Sequence, residues 1–121
     1  MKSFFFAILL SALWCLFAAT GTEQLLIKGD EFYYNGDIEK ALNYYSQAEK
    51  IEPGSIGAMA GIYNASINSG GIKTANKYAY KLLKADNSDL NQDRVIYSDA
   101  LLGKTIYAEK LLGSGTDYFR K

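Results

Sequence analysis

The chain has 121 residues, with 13 Lys and Arg against 13 Asp and Glu, no His, one Cys, one Pro, one Trp and ten Tyr. That length suits one domain. Without His there is no imidazole base, His-ligated metal or Ser–His triad. One Cys allows neither an internal disulfide nor a thiolate zinc cage, and zero net charge argues against nucleic-acid binding. No catalytic residue, cofactor site or metal site is expected; the composition points to a protein that binds rather than reacts.

Residues 1–21, MKSFFFAILLSALWCLFAATG, form a unit of their own. Lys2 precedes an apolar run from Phe4 to Ala19, broken only by Ser11, and small residues follow. This is the layout of a secretory leader. The run is 16 residues, short of the roughly 20 that span a bilayer. Cleavage after Gly21 puts small residues, Ala19 and Gly21, in the two slots that need them. The expected location is therefore exported, periplasmic or secreted, with an uncleaved membrane anchor as the alternative. Cys15 follows the bulky Trp14 and sits inside the apolar run, so it reads as part of the leader and not as a lipidation site.

Beyond the leader the chain repeats. Leu25 to Met59, Ala41 to Ala75 and Pro53 to Asn87 are each 34 residues. In the first unit, 22–55, Gly29, Ala41 and Ala48 are small where helices must approach, while Phe32 and Tyr45 are large where space must be filled. Asn35-Gly36-Asp37 reads as a turn, with Gly36 free to take positive φ and Asp37 placed as an N-cap. Pro53 stops the second helix. Leu25, Gly29, Phe32, Ala41, Tyr45, Ala48 and Pro53 fall in the pattern of the tetratricopeptide repeat, which the chain resembles; Lys28 departs from it, where Leu is usual.

The second unit, 56–88, matches less well. Ala75 and the turn Ser69-Gly70-Gly71 are in place, but Tyr63 holds the Gly slot, Ala79 the aromatic slot and Leu82 a small slot. Exchange of large for small suggests that Tyr63 fills the space vacated at Ala79. A partial third unit, 89–113, has apolar residues at Leu90, Val95, Ile96, Tyr97, Leu101 and Leu102, with Gly103 as a break. Gly113-Ser114-Gly115 is read as the end of order, leaving 114–121 as a flexible tail. Helices are expected near 23–34, 38–51, 56–68, 72–85, 89–102 and 105–112. The fold class is all-α: a short α-solenoid of antiparallel helix pairs, about two and a half repeats, with the last helices as a cap.

In the family the first helix of each pair lines a concave groove. The resemblance places Leu26, Asp30, Tyr33 and Tyr34 there from the first unit, and Ala60, Asn64, Ile67 and Asn68 from the second. The third gives Arg94, Tyr97 and Leu101, with register uncertain by one residue. Helical spacing independently puts Leu26, Asp30, Tyr33 and Tyr34 on one face. The expected partner is a protein or extended peptide held by tyrosine faces and side-chain amides. Leu26 and Ala60 stand where Lys would grip a C-terminal carboxylate, and Asp30 would repel it, so that mode is disfavoured. Self-association and membrane association through residues 1–21 are the alternatives.

Other signals are weaker. Lys73, Lys77, Lys81 and Lys84 form a helical stripe that could meet an acidic surface, or be a solvated face. Asn64-Ala65-Ser66 fits a glycosylation acceptor but lies within an expected helix. The carboxylates Asp30, Glu31, Asp37 and Glu39 show no converging pair in a cleft.

Overall fold

The computed structural model describes Ile8 and residues 21–118, with side chains described through Ile106 and at Glu109. The leader, apart from Ile8 and Gly21, and the end of the tail at 119–121 lie outside the described residues. Five helices make up the described chain, and no strand occurs in it. The described part of α1 is 21–34; α2 is Ile38–Ile51, α3 Ile56–Ser69, α4 Ile72–Ala85 and α5 Asp89–Tyr118.

Local chemistry sets the boundaries. The α1 end closes with Gly36 at φ 85°, its N–H donating to the Tyr33 carbonyl and the Asp37 N–H to Phe32. The α3 end repeats this 34 residues later: Gly70 at φ 80° donates to Ile67, and the Gly71 N–H to Ser66. Both are the paired bonds of a left-handed helix terminus, which a Cβ would strain. Asp37 caps α2 by accepting from the Lys40 N–H at 3.2 Å, and Ser55 caps α3 by accepting from Ala58 at 3.3 Å. α2 ends at Ile51, two residues before Pro53.

The third such terminus does not form. Helices expected at 89–102 and 105–112 are one helix, α5, which runs 30 residues through Gly103 and on past Gly113-Ser114-Gly115. Gly103 does not adopt positive φ. One glycine inside a helix costs only about 1 kcal/mol relative to Ala, and Leu101, Leu102 and Lys104 around it are good helix formers.

Packing follows chain order: α2 on α3, α3 on α4, α4 on α5. One core cluster joins Ala41 and Tyr45 of α2 to Ile62 and Ala65 of α3, with Leu26, Phe32 and Tyr33 of α1 against it. The other joins Met59 and Tyr63 of α3, Ala75, Ala79 and Leu82 of α4, and Val95 of α5. Tyr78 borders both. Tyr63 is buried beside Ala79, so the large residue does lie next to the small one. Full burial of Leu82 contributes roughly 1.5–3 kcal/mol.

Helices two apart also meet. Leu26 near the start of α1 lies against Gly57 near the start of α3, and Tyr33 near the end of α1 hydrogen-bonds Asn68 near the end of α3. α1 and α3 therefore run side by side in one direction. On the other side of the molecule, Glu49 of α2 accepts from the Tyr78 hydroxyl of α4 at 2.6 Å and from Lys81 at 3.3 Å.

Candidate partner-binding face on α1 and α3

The face shared by α1 and α3 is built around Tyr45. Its ring enters from α2 between two glycines: a Cβ on Gly29 would meet it at 2.5 Å and one on Gly61 at 2.6 Å. The ring spans the space between α1 and α3, and its hydroxyl donates to Asp30 Oδ1 at 2.6 Å. Burial, then the bond to Asp30, raises the Tyr45 hydroxyl pKa well above the ordinary phenol value. The hydroxyl therefore stays protonated, and Asp30 is anchored as its acceptor.

The seven residues expected to bind a partner divide by role. Leu26 is half-buried, filling the space over Gly57. Asp30 is exposed but engaged by Tyr45. Tyr33 is half-buried against the α2–α3 cluster, and its hydroxyl accepts from the Asn68 amide. Tyr34 stands edge-on to Tyr33, ring centres 5.6 Å apart, and is 83% exposed. Asn64 and Asn68 are exposed one turn apart on α3. Ile67 is half-buried against the α3–α4 cluster. Tyr33 and Asn68 tie the two helices, and Tyr34 and Asn64 are the side chains left presented to solvent.

The α5 contribution is different in kind. Arg94 lies over the Tyr63 ring at 5.5 Å and bonds Asn91 at 2.8 Å, and the Tyr63 hydroxyl donates to the Arg94 carbonyl at 3.4 Å. Ser98, which stands 34 residues after Asn64, is buried and bonded to Asn76 of α4. The row Asp30, Asn64 thus stops at two members on the exposed face. Tyr97 is exposed and Leu101 half-buried.

Sequence reasoning missed the polar ties. Buried Asn91 donates to the Leu82 and Asp86 carbonyls, satisfying the open end of α4. Asn76 and Tyr80 both donate to Asp99. These pairs are far apart in sequence, and only the alternation of Asn, Tyr and acid hinted at them.

The lysine stripe is partly committed. Lys81 pairs with Glu49 and sits 4.6 Å over the Tyr78 ring, and Lys77 lies over the same ring at 6.0 Å. An open depression of about 480 Å³ beside them is lined by Ser46, Glu49, Lys50, Pro53 and Tyr78. Its carboxylate already accepts from Tyr78 and Lys81. In the glycosylation tripeptide, Asn64 is exposed in mid-helix but Ser66 is buried. Among the described residues, no three His, Cys, Asp or Glu side chains gather where they could hold a metal ion.

No protein-family model matches the chain, and neither does any curated protein or solved structure.

Proposed function

We propose that this is an exported, non-catalytic interaction scaffold, a short solenoid similar to tetratricopeptide arrays. It binds an extended peptide or a partner subunit along the face shared by α1 and α3. The observation that carries the reading is the Tyr33–Asn68 bond, which locks the two helices into one surface. That surface leaves an aromatic ring (Tyr34) and a side-chain amide (Asn64) on offer. An amide can pair with a peptide group in both directions, and a fixed tyrosine ring gives apolar area at small entropic cost. Recurrence of the left-handed terminus at Gly36 and Gly70 supports the repeat reading.

Export fits the same picture. Cleavage after Gly21 removes the apolar run and leaves helix 21–34 nearly whole, beginning at Thr22. Among the described residues no helix is long and apolar enough to cross a membrane. N-terminal sequencing of the natural protein separates the two states: a chain starting at Thr22 is free, one starting at Met1 is tethered.

The binding reading is tested with a displayed library of random peptides. Selected peptides should lose at least about tenfold in affinity when Tyr34→Ala and Asn64→Ala are combined, with the melting temperature unchanged. Both side chains are exposed, so the fold does not depend on them. Peptides indifferent to the double substitution would sink the assignment of this face.

A further inference from the structure

The outer side of α5 lacks the cover that the sequence pattern calls for. Met59, Ile62, Tyr63 and Ser66 of α3 are all buried, and Met59 and Tyr63 pack on α4, the helix that follows. Thirty-four residues on stand Asp93, Ile96, Tyr97 and Ala100 of α5, all exposed. Ile62 is 3% accessible and Ile96 67%; Tyr63 is 6% and Tyr97 51%. α5 meets α4 through Asn91, Val95 and Ser98 instead. It has a helix before it and none after it.

The sequence of the missing helix is present. Gly36 precedes Ala41 by five residues, Gly70 precedes Ala75 by five, and Gly103 precedes Ala108 by five. The segment 105–118 spans 14 positions, the length of α2 and of α4. It should lie back along the first half of α5, as α2 lies on α1 and α4 on α3. It cannot do so in its own chain, because α5 runs straight through Gly103. Along one continuous helix, positions 97 and 112 are roughly 22 Å apart.

We infer that the exposed side of α5 is covered by 105–118 of a second copy, and that the two copies exchange these segments about a two-fold axis. The contact is then isologous: each α5 supplies both the uncovered stripe and the helix that covers it. Its register follows from the first pair, where Tyr45 lies on Gly29 and Phe32 stacks on Tyr44. Carried forward by the repeat spacing, Tyr97 of one copy faces Leu112 of the other, and Ala100 faces Leu111. This inference is independent of the α1–α3 face, and either can fail alone.

The test places Tyr97→Cys and Leu112→Cys together in the full chain, with Cys15→Ser to remove the native thiol. Oxidation should give a covalent dimer on a non-reducing gel, and mixing the two single variants should give the cross-linked heterodimer. Native protein should have twice the chain mass by light scattering, with Ile96→Asp weakening the dimer at least about tenfold and leaving the helical melt unchanged. A disulfide closing within one chain would overturn the inference, since the segment would then fold back on its own α5. So would a chain monomeric at about 100 μM, or a dimer indifferent to Ile96→Asp, which the apolar leader would explain.

Discussion

Tyr45 is where three helices converge, and the residues around it are sized to its ring. Gly29 and Gly61 both sit where a methyl group would fall within 2.6 Å of ring carbons. The ring is buried, so it cannot swing aside into water. Gly61→Ala should therefore destabilise the protein by roughly 1–3 kcal/mol, the usual cost of overpacking, although alanine is the better helix former. Urea unfolding measures it, and a stabilised variant would show that the ring can move. Tyr63→Ala removes the opposite kind of residue, a large one beside Ala79, and should cost roughly 3–5 kcal/mol. A loss under 1 kcal/mol would rule out the compensation between them. Gly29 was legible in the sequence because it holds a repeat slot. Gly61 was not, because its importance comes from a ring on another helix.

The same tyrosines give the protein a signature in alkali. Burial, then the bond to Glu49, pushes the Tyr78 hydroxyl from 10.0 up to about 12. Tyr45 moves in the same direction for like reasons, with Asp30 as its acceptor. A raised folded-state pKa means the native form holds its proton more tightly than the unfolded form. That contribution is complete below pH 10 and disappears as pH rises towards 12. Stability should decline across this window, and the decline should be shallower in Tyr78→Phe. Denaturation followed at several pH values, beside phenolate absorbance, reads both, and parallel curves for the two proteins would contradict the assignment.

At the scale of elements, helix ends were legible where a single residue decides them. Gly36 and Gly70 each need positive φ, and Asp37 and Ser55 each offer an oxygen to a bare N–H. All four helical boundaries they imply are present. Gly103 looked like a third member of the series and is not, because glycine permits a left-handed terminus without compelling one. The termination at Gly113-Ser114-Gly115 fails for a similar reason: composition favours a break, but the helix carries on to Tyr118. If Gly103 is helical, Gly103→Ala should add up to about 1 kcal/mol of local helix stability and slow amide exchange around it. Were residues 101–107 a turn, the substitution would leave their exchange fast.

Across the whole molecule, polar ties link helices two apart while apolar clusters link neighbours. Tyr33–Asn68 joins α1 to α3, and Glu49 with Tyr78 and Lys81 joins α2 to α4. The apolar pattern could be read from spacing, since small and large residues recur every 34 positions. These ties could not, because each pairs two exposed or half-exposed side chains that carry no periodic signal. Their weights should differ. Tyr33–Asn68 is a neutral bond near water and should contribute about 0.5–1 kcal/mol; Tyr78–Glu49 has a charged acceptor in a half-buried place and should contribute about 1.5–3 kcal/mol. Tyr33→Phe and Tyr78→Phe together remove both bonds and leave both rings. The hydrophobic clusters on either side remain and are joined through the Tyr78 ring, so unfolding should still expose the whole core at once. Urea denaturation of the double variant should then show a lower midpoint with an unchanged slope, since the slope tracks the surface exposed. A second transition or a reduced slope would mean that the hydrogen bonds, and not the shared core, make the helices one cooperative unit.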